Sequence, residues 1–175
     1  MIESETIRTA RLDLLPLSVG HAEEMASVLD DPALHAFIGG SPSTLAELRA
    51  RYERQVAGSP DPAVSWLNWV IRSRDEDCLA GYVQATVAPE DGGGGELGSV
   101  AEIAWVVGSP WQRRGIAAEA AAGLADWLTG QPVQTVIAHI HPDHRASAAV
   151  ATAAGLTATD HWHDGEIRWE RVTGR

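Results

Sequence analysis

The chain has 175 residues, 45% of them hydrophobic, with 24 acidic against 13 basic side chains and a formal net charge of −11. That length suits one domain spanning residues 1–175, and the apolar content excludes a disordered chain. An acidic balance argues against nucleic acid as a partner, because phosphate binding needs clustered positive charge.

All 13 basic residues are arginine, which excludes a lysine Schiff base, a P-loop lysine and a lysine nucleophile. Cys78 is the sole cysteine, so no intrachain disulfide forms. No apolar run reaches the roughly 18 residues of a membrane span, and the N-terminus lacks the apolar stretch of a signal peptide. A cytoplasmic protein with no membrane partner is expected.

In chain order, Arg11 to Leu17 reads as a first strand with alternating Leu12, Leu14 and Pro16. His21 to Leu29 has helical spacing, with Ser18 as its cap. After the Gly39-Gly40-Ser41-Pro42 loop, Ser43 or Thr44 caps a second helix. That helix presents Leu45, Leu48 and Tyr52 on its buried face and Glu47, Arg51 and Arg54 on the other. Ser65–Arg72 and Leu79–Val87 are strands rich in β-branched and aromatic residues. Gly92–Gly95 lie in a hairpin connection expected to be the most mobile part of the chain.

Val100–Val107 is the next strand, Ile116–Leu128 an alanine-rich helix and Gln134–Ile140 a further strand. Arg145–Ala154 is a helix stopped by Gly155, and residues 157–172 form a last hairpin turning at Asp164-Gly165. The order β-α-α-β-β-β-α-β-α-β-β predicts an α/β (α+β) fold. Its sheet is mixed and mostly antiparallel, flanked by helices and parallel where the Ile116–Leu128 helix crosses over.

The stretch AEIAWVVGSPWQRRGIAAEA, from Ala101 to Ala120, carries the chemistry. A strand ends, and Gln112-Arg113-Arg114-Gly115-Ile116-Ala117 leads directly into a helix. The first turn of a helix offers unpartnered backbone N–H groups and partial positive charge, which suits an anion. Gly115 and Ala117 keep side chains out of the way, and Arg113 and Arg114 add fixed charge. An ordinary strand-to-helix turn with solvated arginines is the plainer alternative.

Gln112-x-x-Gly115-x-Ala117 after a strand resembles the acyl-CoA signature of the GNAT superfamily of N-acetyltransferases. The segments RLDLLPL, GYVQATV, AEIAWVV and HPDHRASAAVATAAGL follow in family order, and the resemblance covers residues 7–172. It is nearest to the ribosomal-protein alanine acetyltransferase branch. The resemblance implies acetyl-CoA as cosubstrate, with pantetheine lying where the Val100–Val107 strand splays from its parallel neighbour. The backbones of Trp105, Val106 and Val107 would bind it like an added strand. The N–H groups of Arg113, Arg114, Gly115, Ile116, Ala117 and Ala118, after Gln112, would hold the pyrophosphate. An N–H near Val106 or Val107 would polarise the thioester carbonyl.

Amine acetylation needs a deprotonated amine, a stabilised oxyanion and a proton for the leaving thiolate. Glu102, inside an apolar strand, is the candidate base, made more basic by desolvation and acting directly or through water. Its alternative role is to orient substrate or pair with an arginine. Ser147, at a helix start, is the candidate acid. His144 stands where the family often has an asparagine and would contact pantetheine. The tyrosine acid of many members corresponds to Ala151, so the proton falls to Ser147, His144 or water.

Trp66, Asn68 and Gln84 are candidates to line the acceptor site, as is Trp105 if its ring faces the cleft. His139, His141 and His144 lie close in sequence, yet no metal site is expected. The expected acceptor is a small-molecule amine or a peptide N-terminus. The net charge tilts the choice toward a cationic one, and open sheet edges allow pairing into a homodimer. A catalytically inactive CoA-binding module of the same fold is the alternative to an enzyme.

Overall fold

A computed structural model describes residues 1–35, 40–91 and 97–174. The Gly92–Gly95 connection lies outside the described residues, as does Gly39 of the earlier loop. The strands are β1 (Ile7–Arg8), β2 (Leu12–Pro16), β3 (Ser65–Ser73), β4 (Cys78–Asp91), β5 (Leu97–Val107), β6 (Thr135–Ile140), β7 (Thr157–His163) and β8 (Glu166–Val172). The helices are α1 (Ala22–Val28), α2 (Leu45–Ala57), α3 (Ile116–Thr129) and α4 (Arg145–Ala153).

The eight strands form one sheet in the order β1-β2-β3-β4-β5-β6-β8-β7. Every neighbouring pair is antiparallel except β5 and β6. The expected fold class holds. The short β1 was not read from sequence, since two residues carry no periodicity. Ser18 does not cap α1: it precedes a 3-10 turn at Val19–His21, and His21 takes the α1 N-cap position.

Alternation along the strands divides the core in two. On one face Leu67, Trp69, Ile71, Val83, Ala85 and Ile103 are buried beneath α3, which contributes Ala120, Leu124 and Leu128. Each such leucine contributes about 2 kcal/mol of transfer free energy. On the other face Val70 and Tyr82 pack against Met25 and Val28 of α1 and Leu48 and Tyr52 of α2. The two short helices cover only part of that face.

Two features shape the junction of β4 and β5. Gly81 pairs with Val107, and a Cβ there would lie 2.1 Å from the Val106 carbonyl oxygen. Only glycine permits that approach. The β5–β6 ladder is short: Val100, Ala101 and Glu102 pair with Thr135, Val136 and Ile137, and no rung follows. Ile103–Val107 are therefore laddered on the β4 side alone. Here β5 parts from β6, as expected for the Val100–Val107 strand.

Candidate active site

Glu102 sits at the last rung before β5 and β6 diverge. It is the only acid from Gly98 to Val107. Its Oε1 lies 2.7 Å from Nδ1 of His139 on β6. An ionised carboxylate only accepts, so Nδ1 of His139 donates the proton in this pair. The His139 ring also stands against His163 of β7, centroids 4.9 Å apart. His139 is the partner that sequence reading missed, because 37 residues separate it from Glu102. The expected desolvation of Glu102 does not hold: half of its side-chain surface, 50%, is exposed, against 14% for His139. The covering helices stop short of this end of β5, so solvent reaches the carboxylate.

The turn after β5 is built around left-handed backbone, free of cost at Gly115 and unusual at Arg113. Arg113 and Gly115 both have positive φ, 61° and 76°. Gly115 is the N-cap of α3, and no side chain caps that end, so the first N–H groups of the helix are open. Gln112 is exposed, and its Nε2 donates to the Val107 carbonyl at 3.0 Å, tying the turn to the end of β5. Ile116 turns its side chain into the core, while Ala117 and Ala118 follow on the first turn.

The two arginines of the turn differ. Arg114 forms an ion pair with Glu76, whose carboxyl that bond holds below its usual range. Arg113 makes no ion pair among the described residues. Arg11, which sequence reading passed over, reaches the same place from the start of β2. Its Nε lies 2.7 Å from Glu119 Oε1, and its Nη1 donates to the Arg114 carbonyl at 3.0 Å. Burial pushes the Glu119 carboxyl up, but hydrogen bonds from Thr9 and Arg11 outweigh it and leave the group below its usual range. Glu119 is thus an acid in the first turn of α3 with its charge already countered.

Ser147 lies in the first turn of α4, its Oγ 3.4 Å from Nε2 of His144, the α4 N-cap. Burial first, and His141 second, lower the His144 pKa. Ala151 is fully buried. No three His, Cys, Asp or Glu side chains among the described residues cluster as metal ligands would.

Trp66, Asn68 and Gln84 line cavities on the α1–α2 face of the sheet. Two of these, each about 260 Å³, share Arg51, Gln55, Asn68 and Gln84. The register explains the grouping. Trp66, Thr86 and Glu102 form one cross-strand row, and Asn68, Gln84 and Ala104 the next. Neighbouring strands are about 4.8 Å apart, so the cavity edge at Thr86 lies one strand from Glu102. Trp105 does not face this side; its ring packs against the α3 core. Arg51 and Arg54 are exposed, as expected of the outer face of α2, and they also border the cavities. Cys78 lies beside Trp111 and Glu76, nearer the turn than its sequence position implies, and burial together with Glu76 and Glu24 pushes its thiol up.

No helix among the described residues is long and apolar enough to cross a membrane. None of the curated proteins compared with the sequence matches it significantly. Solved structures do. A GNAT-family acetyltransferase from Bacillus anthracis superposes with a TM-score of 0.75 at 16% identity, covering 98% of this chain and 100% of that one. The ribosomal-protein α-N-acetyltransferase RimL, in complex with coenzyme A, gives 0.74 at 16%, over 96% and 98%. The microcin self-immunity acetyltransferase MccE, in complex with acetyl-CoA and AMP, gives 0.69 at 16%, over 93% of both. At these identities the likeness establishes the fold. The sequence itself matches the acetyltransferase (GNAT) domain model over residues 11–157. The chain therefore belongs to the GNAT acetyltransferase domain family and is an acetyl-CoA-dependent acyltransferase.

Proposed function

We propose that this protein moves the acetyl group of acetyl-CoA to a primary amine by direct attack, with Glu102 as the base. The observation that carries this reading is the end of the parallel ladder at Glu102. The carboxylate stands where the gap between β5 and β6 opens, with the α3 turn beyond the far end of β5. Pantetheine entering that gap would be held by the backbone of Trp105, Val106 and Val107. Its pyrophosphate would meet the N–H groups from Arg113 to Ala118 and the unpaired charge of Arg113.

The acceptor enters from the α1–α2 face, past Trp66, Asn68 and Gln84. Glu102, directly or through a water, takes the ammonium proton. The nitrogen lone pair adds to the thioester carbon, and the oxyanion is met by an N–H at Val106 or Val107. Collapse expels the thiolate, and the proton that the adduct nitrogen still carries passes by way of Ser147, His144 or water to the sulfur, leaving a neutral amide and the free thiol of CoA. Solvent access to Glu102 suits the water-mediated form. His139 holds the carboxylate in place.

Calorimetry and a thiol-release assay test this reading. Acetyl-CoA should bind, with Glu102→Gln retaining that binding and losing most turnover. A variant with undiminished turnover would remove Glu102 as base, and a wild-type chain that fails to bind acetyl-CoA would defeat the whole reading.

A further inference from the structure

The cavities on the α1–α2 face, one of which reaches Thr86 across from Glu102, have an unexpected charge. The chain carries 24 acids, yet among the described residues no Asp or Glu lines three cavities on the α1–α2 face. Arg51 lines all three, and Arg54 borders the one that reaches Thr86. Arg51 follows Leu48 by three residues and precedes Gln55 by four, so it shares their stripe on α2. One of its N–H groups donates to Ser43 Oγ at 2.8 Å. Neither Arg51 nor Arg54 forms an ion pair among the described residues, whereas Arg11, Arg72, Arg74, Arg114, Arg168 and Arg171 all do.

Glu47, four residues before Arg51, has its Oε1 turned to the helix N-terminus, where it accepts from the Thr44 N–H at 3.2 Å, although its charge still feels Arg51; Glu53 is exposed. In the first cavity the remaining polar lining is neutral: the amides of Gln55, Asn68 and Gln84 and the phenols of Tyr52 and Tyr82; Thr86 joins the lining of the second, and Ser43 and His35 that of the third. Burial holds both phenols protonated well past neutral pH.

We infer that the acceptor is a small amine that also bears an anionic group, a carboxylate or a phosphate, received by Arg51 with Arg54 beside it. The inference rests on the acetyl-transfer reading and narrows its acceptor. It reverses the tilt toward a cationic substrate that net charge suggests, because the local lining governs a bound ligand more than charge dispersed over the surface. A planar guanidinium with free N–H groups matches a carboxylate or phosphate in two-point fashion. A polyamine would find no carboxylate in these cavities to answer its second charge. The two larger cavities, about 260 Å³ each, hold roughly the volume of nine waters, which suits an amino acid or an aminoalkyl phosphate, whereas the third holds about 40 Å³.

The test uses acceptors in pairs that differ only in the anion. Free amino acids are set against their carboxamides, phosphoethanolamine against ethanolamine, and spermidine stands as the polycation. Thiol release from acetyl-CoA is measured for each with the full chain. Expected is a kcat/KM at least tenfold higher for the anionic member of a pair, with the two pairs separating carboxylate from phosphate. Arg51→Gln should bring that ratio close to one while acetyl-CoA affinity stays in place. Equal rates within pairs, a preference for spermidine, or a ratio indifferent to Arg51→Gln would overturn the inference.

Absence of thiol release from every amine would defeat the transfer reading instead. Calorimetry of the same pairs with CoA present then decides about the cavity. Binding of the anionic member that Arg51→Gln abolishes upholds the inference, and no such binding overturns it.

Discussion

Gly81→Ala probes the strand that would hold the thioester. The added Cβ would stand 2.1 Å from the Val106 carbonyl oxygen and 2.9 Å from the Val107 Cα. The first distance is about 1.3 Å inside ordinary van der Waals contact. The obstacle is backbone, so no rotamer change relieves it. β4 and β5 must separate by something near 1 Å at the residues that would polarise the carbonyl. Overpacking of this kind costs about 1–3 kcal/mol of stability. A displacement of about 1 Å at a reacting centre costs on the order of 100-fold in rate. Thermal unfolding and the thiol-release assay measure the two losses separately. Gly20→Ala is the control, because its Cβ would meet only Ser18 Oγ at an ordinary 3.6 Å. If Gly81→Ala kept the wild-type melting temperature and rate, the strand end would not be the rigid element argued above.

The two arginines of the α3 turn should separate in calorimetry with acetyl-CoA. Arg113→Ala is expected to weaken binding about tenfold, the loss of one charge-assisted contact, and Arg114→Ala less, since Glu76 already counters that charge. Equal losses would show that the Glu76 pair opens on binding. Burial pushes the Tyr52 phenol up to about 12. The unfolded chain releases that proton near pH 10, so stability is full below pH 10 and falls as pH rises toward 12, by about 3 kcal/mol. Tyr52→Phe should remove that fall in alkaline denaturation, and a Phe variant with the same slope would contradict the assignment. Cys78→Ser should leave acetyl transfer unchanged, because the raised thiol is protonated at neutral pH. Mass detection of an acetylated Cys78 during turnover would refute direct attack.

What the sequence determined by itself was local. Period-two alternation in RLDLLPL, SWLNWVIRS and AEIAWVV set the strands and their buried faces. The Gly115 turn into an alanine-rich helix was legible for the same reason: helix-end chemistry depends on a few consecutive residues. That Trp66, Asn68 and Gln84 line common cavities follows from polar or exposed positions along strands that pair in register.

Packing decided the rest. Only the parallel pairing of β5 with β6 brings His139 to Glu102, and only the return of β2 over α3 brings Arg11 to Glu119, 108 residues away. Solvent access to Glu102, against the desolvation expected from its apolar neighbours, depends on how far α1 and α2 extend over the sheet. The same is true of Arg51. It lies three residues after Leu48 and four before Gln55, at the edge of their stripe with its side chain exposed, and the narrow cover that α2 makes over a wide sheet turns that edge into the rim of a cavity. Local sequence encodes which way a side chain points relative to its own element, whereas what it meets there is a property of the assembled sheet and helices.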